Sequence, residues 1–321
     1  MRPKVSVIVP VYRAEKDIAR CCRALFGQTL DQIEYIFVDD CSPDDSVAII
    51  NAIIEEYPQR KQFVKILHQH KNSGVSACRQ LGLDNATGKY VIHCDSDDWT
   101  SPEMYELLYQ KALSEHAEVV YCDYWEEYGN HAVSVVFPDA YVDRPSFNIC
   151  PIEGAVWNKL ISRTLINRCN AKFYEGINLG EDFGFVTLCR VMSQKNAVLH
   201  QPLYHYNQQN LGSITHNYTR EHFMQVVKLA KKIAADYDGK GIAHDFEYEL
   251  NFLKFQSKSF FLIYDSVLDI KFWKDAFPEC NKNLLRYDYP LYIRIAGWLI
   301  AHNLSPLAWS MLKIKKLILN H

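Results

Sequence analysis

The chain has 321 residues, of which 48% are hydrophobic and 23% are charged. This length is about twice that of a typical domain, and this composition excludes wholesale disorder and a fibrous architecture. Before position 220 acidic residues outnumber basic ones by 27 to 20, so that part lacks the basic field of a nucleic-acid-binding protein. We therefore expect a globular protein with a sizeable core and no nucleic-acid partner.

The cysteines and the apolar runs bear on the cellular compartment. Ten cysteines are scattered without a CxxC pair, which is typical of reduced cytosolic thiols rather than of disulfides or structural zinc. The longest apolar run, 295–301, has seven residues, far below the ~18–20 that cross a bilayer. The five-residue apolar run near the N-terminus is too short for a signal peptide. The sequence therefore predicts a cytoplasmic protein.

The first 125 residues alternate short apolar runs with segments of helical spacing. The runs predict strands at 5–9, 35–38, 64–67, 90–94 and 119–122. The spacings, with a Ser101-Pro102 pair typical of a helix N-terminus, predict helices at 18–26, 47–54, 76–86 and 101–114. Strands joined by crossover helices indicate an α/β fold with a doubly wound, mainly parallel sheet.

The pattern changes near position 220. Residues 126–219 are rich in Asn, Tyr and Pro and are expected to add strands and loops around a cleft. Helical, aromatic-rich segments follow, so we predict a sheet domain over 1–219 and a helical C-terminal region over 220–321. After Asp288 the chain has four basic residues and no acidic one. This tail is expected either to contact the inner membrane surface peripherally or to pack on protein.

Acidic residues follow three of the predicted strands. These strands end in Pro10-Val11-Tyr12, Asp39-Asp40 and Asp95-Ser96-Asp97-Asp98. Ligands of an open parallel sheet bind beyond the carboxyl ends of its strands, so up to five carboxylates are expected to gather there. Like charges at close range repel, and a divalent cation with oxygen ligands would compensate them.

Each acidic run also has a simpler interpretation. The Asp95–Asp98 run suits a solvated loop with Asx turns, and Asp39-Asp40 suits the cap of the following helix. The sequence lacks both GxGxxG and the P-loop motif, so a dinucleotide site or a P-loop has no glycine cradle. The joint placement at strand ends favours a metal-diphosphate site over these alternatives.

Five segments carry a resemblance to a known family. They read VSVIVPVYRAEKDI from position 5, VDDCSPDDS from 38, NSGVSACRQLGLDNATGKYVIHCDSDDW from 72, WNKLISRTLI from 157 and NLGEDFGF from 178. Together they resemble the family 2 glycosyltransferases of bacterial polysaccharide and capsule synthesis, over roughly residues 4–215. The resemblance implies the GT-A fold and a nucleotide-sugar-binding and catalytic role for the sheet domain.

The donor residues follow from this resemblance. Pro10 and Tyr12 would line the nucleoside pocket, with the Tyr12 ring beside the base. Asp39 and Asp40 would accept hydrogen bonds from uracil and ribose, and Arg79 would support the base or the phosphates. The donor is then a UDP-sugar.

The resemblance also implies the metal and the base. Asp95 and Asp97 form the DxD motif, with Asp97 as the direct ligand of Mn²⁺ or Mg²⁺ and Asp95 nearer the ribose, and Ser96 between them would also contact the donor. Asp182 matches the family's catalytic base, and a single base without a nucleophilic carboxylate implies inversion. The alternative for Glu181-Asp182 is a pair of acids stabilised by a helix N-terminus.

The acceptor side has its own candidate residues. Trp157, Asn158, Lys159 and Glu181 are expected at the acceptor side, although a core Trp beside an exposed Lys explains the same residues. His205, and Ser213 with it, would reach the metal or the diphosphate from a closing loop; a surface aromatic loop is the alternative.

Two positions depart from the family pattern. Cys41 stands where glycine is usual, which we take as a minor change unless φ is positive there. Gln80 stands where asparagine is usual and leaves a nucleotide contact at that position open.

The resemblance therefore predicts an inverting, metal-dependent hexosyl- or N-acetylhexosaminyltransferase that acts on a glycan or lipid-linked acceptor. A nucleotidyltransferase is the competing enzyme, but it would need a glycine-rich triphosphate loop after the first strand, and Tyr12–Lys16 has no glycine. A non-catalytic sugar-nucleotide-binding subunit of a glycan-assembly complex is the alternative outside enzymes.

Overall fold

A computed structural model describes residues 2–139, 154–210 and 218–319. The described residues fall into two compact units, the first holding 2–139 and 154–210 and the second holding 218–319. None of the nine cysteines in these ranges forms a disulfide bond. Across the same ranges, none of the helices combines the length and the apolar character that crossing a bilayer requires.

In the first unit the described strands form one nine-stranded sheet. They are β1 (Val5–Val11), β2 (Ile33–Asp39), β3 (Val64–His68), β4 (Tyr90–His93), β5 (Trp99–Thr100), β6 (Val119–Glu127), β7 (Ala132–Val135), β8 (Lys159–Ser162) and β9 (Asn196–Asn207). Their order is β3-β2-β1-β4-β8-β6-β9-β5, with β7 beside β6. The four strands β3-β2-β1-β4 are parallel, whereas β8 runs antiparallel to both of its neighbours. The predicted mainly parallel, doubly wound sheet is confirmed.

Helices of the first unit lie close to their predicted positions. They are α1 (Ile18–Phe26), α2 (Ser46–Glu56), α3 (Val75–Asn85), α4 (Met104–Ser114), α5 (Arg163–Cys169) and α6 (Glu181–Met192). The predicted start of α4 is wrong by three residues: the Met104 N–H donates to the Ser101 carbonyl at 3.1 Å, so Ser101-Pro102 forms the turn before the helix.

Burial in the core explains why the sequence predicts these strands and helices. A parallel strand covered on both faces is mostly apolar, and β2, which is buried at every residue, has an apolar centre at 35–38. α1 packs one face on the core through Ile18, Cys22 and Leu25, at the spacing of an amphipathic helix.

The second unit is helical in the residues described, which confirms the predicted helical C-terminal region. Its helices are α7 (Arg220–Gly239), α8 (Glu247–Ile263), α9 (Ile270–Asp275), α10 (Leu291–Ala301) and α11 (Ser305–Leu319). Trp273 is fully buried here, and the Lys258 ammonium lies 3.9 Å from the centroid of its ring. Whether the functional boundary lies at 219/220 stays a prediction.

Strand register brings the predicted site together. Val11 at the end of β1 pairs with Asp39 at the end of β2, and on the other side of β1 Ile8 pairs with His93 at the end of β4. The residues after these three strands therefore share one edge of the sheet.

Candidate active site

The two acids after β2 hold backbone. Asp40 is buried, and its carboxylate accepts from the N–H groups of Ser73 at 2.7 Å and Gly74 at 2.8 Å. Asp39 accepts from the Ser42 N–H at 2.9 Å, and His68 Nδ1 lies 3.1 Å from its other oxygen. Asp40 thus fixes the loop that starts α3, and contacts of either acid with a nucleoside stay predictions.

Cys41 corrects one expectation. Its φ is +58°, in the left-handed region that glycine adopts at no steric cost. The replacement of the family's usual glycine is therefore not minor: it places a side chain on a backbone that disfavours one.

Tyr12 follows β1 and offers an accessible ring. It is 41% exposed, and the Arg13 guanidinium lies 5.3 Å from its ring centroid. Pro10, within β1, is half-buried. An exposed aromatic face beside the strand end is suited to stacking on a nucleobase.

The Arg79 side chain joins two parts of the site. Arg79 lies on α3 and is buried, with its Nη2 donating to Asp95 Oδ1 at 2.8 Å and its Nη1 donating to Glu181 Oε1. One guanidinium therefore connects the DxD turn after β4 with the first residue of α6, 102 positions along the chain from Arg79. A planar fork with five donors is the side chain best suited to bridge two carboxylates.

The turn after β4 is held by residues that sequence reasoning missed. Asp98 is fully buried and accepts from the Tyr204 hydroxyl at 2.6 Å and from the Asn207 N–H at 2.8 Å. The Tyr204 oxygen in turn accepts from the Asp95 N–H at 3.1 Å. Burial raises the pKa of Asp98 well above its usual range, as do the charges of its acidic neighbours. Tyr204 therefore fixes both ends of the DxD segment from β9.

Removing the Tyr204 hydroxyl should loosen this turn. We expect Tyr204→Phe to raise the donor KM and the metal concentration for half-maximal activity by about tenfold, because a buried acid loses a hydrogen bond of ~1.5 kcal/mol. Tyr128→Phe, an exposed tyrosine on the same unit, is the control. Steady-state kinetics at varied Mn²⁺ measure both constants, and wild-type values in Tyr204→Phe would show that the hydroxyl does not position the turn.

Asp97 is the acid of this turn that is best placed for a cation. It is half-buried, as is Ser96, and Asn210 Nδ2 donates to Asp97 Oδ2 at 2.8 Å. Burial raises the pKa of Asp97, and the negative charge of Asp95 adds to that shift. Such a pair suits a divalent cation. Within the described ranges no three His, Cys, Asp or Glu side chains gather around one point, so phosphate and water would complete the coordination.

Glu181 and Asp182 open α6 next to this turn. Gly180 before them has a φ of +75° and is the N-cap of the helix. Burial raises the pKa of Asp182, and Arg79 opposes that shift. Burial likewise raises the pKa of Glu181, and the same guanidinium opposes that shift. A carboxylate with a raised pKa at a helix start is suited to accept a proton near neutral pH.

The predicted acceptor residues around Trp157 are interior. Trp157 is buried and stacks on Tyr204, with ring centroids 4.4 Å apart. Asn158 and Lys159 are also buried, and Lys159 Nζ donates to Asn158 Oδ1 at 2.8 Å. In this structure Trp157 supports the tyrosine beneath the DxD turn, as the alternative of a core Trp expects, but the exposed Lys of that alternative is wrong because Lys159 is buried. A contact of these residues with the acceptor stays a prediction.

His205 lies in β9 with both ring nitrogens engaged. Nδ1 is 2.8 Å from Glu127 Oε1, Nε2 is 3.2 Å from Ser101 Oγ, and the ring stacks on Trp99. These contacts hold the imidazole within the sheet, so its approach to a diphosphate stays a prediction. Ser213 lies outside the described residues.

Gln80 faces a different part of the unit. Its amide nitrogen donates to Asp84 at 2.7 Å, and its amide oxygen accepts from the Phe173 N–H at 2.8 Å. It lines a cavity of about 370 Å³ together with Arg163 and Lys172, away from the residues predicted for the donor. The amide at position 80 therefore braces α3 in this structure.

Comparison with known proteins identifies a family of related sequences. Residues 6–134 match the family model described as Glycosyl transferase family 2. The putative glycosyltransferase EpsH of Bacillus subtilis is 28% identical over 284 residues, covering 85% of this chain and 78% of EpsH. The uncharacterized glycosyltransferase YibD of Escherichia coli is 30% identical over 257 residues, covering 74% of this chain and 73% of YibD.

The fold of this chain also matches that of a solved structure. The crystal structure of Staphylococcus aureus TarS 1–349 in complex with UDP-GlcNAc superposes with a TM-score of 0.67 at 16% identity, covering 98% of this chain and 92% of TarS 1–349. This likeness identifies the sheet as a GT-A fold. With the family motifs on the edge where Arg79 joins the DxD turn to α6, and with YibD related over most of its length, the chain belongs to the family 2 glycosyltransferases.

Proposed function

We propose that this protein is an inverting, metal-dependent glycosyltransferase that moves a hexosyl or N-acetylhexosaminyl group from a UDP-sugar to a hydroxyl of a glycan or lipid-linked acceptor. The observation that carries the proposal is the Arg79 bridge between Asp95 and Glu181. It places the DxD turn and the acids of α6 within the span of one side chain, as transfer between a bound diphosphate and an acceptor requires.

The donor side rests on the strand ends. Tyr12 offers its exposed ring to the base, while Asp40 fixes the loop before α3 and so places Arg79. Asp97 and Asp95 would hold Mn²⁺ or Mg²⁺ together with the phosphates. When bound, such a cation stabilises the negative charge that develops on the departing diphosphate.

The acceptor side rests on Asp182. Its carboxylate takes the proton of the acceptor hydroxyl, and the oxygen attacks the anomeric carbon from the face opposite the diphosphate. The bond from that carbon to the phosphate oxygen breaks, and its electron pair leaves with UDP. One displacement inverts the anomeric configuration.

Two findings support the biological setting. The downstream motifs WNKLISRTLI and NLGEDFGF resemble those of bacterial polysaccharide enzymes. TarS, which shares the fold, was crystallised with UDP-GlcNAc, so UDP-GlcNAc is the first donor to test. We place the acceptor in cell-surface polysaccharide synthesis on these grounds.

Nucleotide release tests the proposal. The full chain is incubated with UDP-glucose, UDP-galactose, UDP-GlcNAc and UDP-GalNAc, with GDP-mannose as the control for the base, each with Mn²⁺ and with or without EDTA. We expect UDP release from one UDP-sugar and its loss with EDTA. Release that resists EDTA would overturn the metal dependence, and release from GDP-mannose alone would overturn the choice of base. Donor binding without release, even with a glycan acceptor mixture, would favour the non-catalytic alternative.

A further inference from the structure

The last two helices expose an unusual amount of apolar surface. The large apolar side chains that these helices expose are Leu291, Ile295, Trp298, Leu307, Trp309 and Ile314. We call this set the α10–α11 surface. Leu291 is 59% exposed, Trp309 is 45% exposed and Trp298 is 39% exposed. Two exposed tryptophans on consecutive helices are more than the isolated apolar residues that most protein surfaces carry.

The exposed apolar side chains of α10 are additional to the face by which that helix packs in the core. That helix already buries Ile293, Ala296 and Ile300. Positions 291, 295 and 298 follow the i, i+4, i+7 spacing and form a second apolar stripe on the same helix. A helix that is apolar on both faces is stable in water only when something covers the second face.

The segment of the chain that carries this surface has charges of one sign. After Asp288 the sequence carries Arg294, Lys313, Lys315 and Lys316 and no acidic residue. The Lys313 ammonium lies 3.9 Å from the Trp309 ring centroid, so a cation and an aromatic ring share the same patch. Tryptophan beside lysine on an amphipathic helix is the composition that binds at the headgroup level of a membrane.

We infer that the α10–α11 surface docks on an anionic lipid surface. The apolar side chains enter the interface between headgroups and acyl chains, and the basic residues contact lipid phosphates. A second copy of the chain fits less well, because a two-fold interface would bring the same basic residues against each other. Docking would hold the first unit near an acceptor in the membrane, but the inference itself does not depend on the proposed function.

Vesicle sedimentation of the full-length chain tests this inference without any substrate. We expect binding to vesicles of phosphatidylcholine mixed with phosphatidylglycerol, and much weaker binding to phosphatidylcholine alone or at high salt. Trp298→Ser with Trp309→Ser should lower the partition coefficient at least tenfold, because two large apolar groups no longer enter the interface. Lys313→Gln should lower it about fivefold.

Matched variants make the result decisive. Leu113→Ser with Tyr128→Ser removes two comparably exposed side chains from the first unit and should leave vesicle binding unchanged. Thermal unfolding confirms that each variant is folded. Equal binding by the double tryptophan variant and the wild type would overturn the inference. A dimer in analytical ultracentrifugation that the double tryptophan variant dissociates would also overturn it, since the surface would then bind a second copy.

Discussion

Replacing Asp182 by asparagine should lower the rate of glycosyl transfer by about 10²–10⁴-fold while leaving donor affinity within a factor of about two. Asparagine keeps the shape of the side chain at the start of α6 but cannot accept the acceptor proton at neutral pH. UDP release with saturating acceptor measures the rate, and titration of the donor followed by tryptophan fluorescence measures the affinity. The Glu175→Gln variant, an exposed acid just before α6, should retain the wild-type rate.

The assignment of Asp182 as the base also predicts the direction in which the transfer rate changes with pH. Burial raises the pKa of Asp182, so its carboxylate becomes protonated at a higher pH than an ordinary aspartate as the solution is acidified. As the pH is lowered, we therefore expect kcat/KM to begin to fall at a pH above the usual pKa range of aspartate, because only the ionised form acts as the base. An Asp182→Asn variant that keeps most of its transfer rate, with the wild-type acid limb, would show that another group takes the proton.

Replacing Arg79 by methionine should cost about 3–5 kcal/mol of the free energy of unfolding and abolish detectable transfer. The loss is large because Glu181 is left buried without its cation and Asp95 loses a hydrogen bond of 2.8 Å. Urea denaturation of the full chain measures the stability. Arg79→Lys should recover part of it, because an ammonium keeps the charge but not the two-pronged geometry.

A second arginine provides the matched control. Arg168 also forms two hydrogen bonds with one carboxylate, that of Glu118, at 2.8 Å each, but its side chain is 38% exposed. Arg168→Met should cost no more than about 1 kcal/mol, because water screens a surface ion pair. The double variant Arg79→Met, Glu181→Gln should be less destabilised than the sum of its single variants, since the buried charge leaves with its partner. Additive losses would indicate that Arg79 stabilises the fold by packing alone.

Local patterns were sufficient for five of the nine described strands, namely β1, β2, β3, β4 and β6, whereas β5, β7, β8 and β9 were not placed. β1, β2 and β4 are short apolar runs whose burial on both faces requires that composition, and α1 and α2 show the spacing of one buried face. β8 was not predicted, because its four residues, Lys159–Ser162, begin with a lysine that the structure buries beside Asn158. A charged residue normally marks a surface, so only the surrounding packing reveals this strand.

The candidate site likewise has a part that the sequence predicted and a part that it did not. The acids at positions 39, 40, 95 and 97 could be predicted because each follows a strand end directly in the sequence. The roles of Tyr204 and Arg79 as connectors could not, because their partners lie about a hundred residues away along the chain. The burial of Trp157 against Tyr204 has the same cause.

The sequence by itself determined the fold class, the edge of the sheet where the acids gather and the family, because strand periodicity and the residues after a strand are local properties. Only the tertiary structure decided which carboxylates are tied to backbone, which share the Arg79 guanidinium and that Cys41 has a positive φ. Those outcomes depend on distances between distant segments and on backbone angles set by their packing. Burial then alters the charge preferences of Asp97 and Asp182, because desolvation acts on a group only after the chain has folded around it.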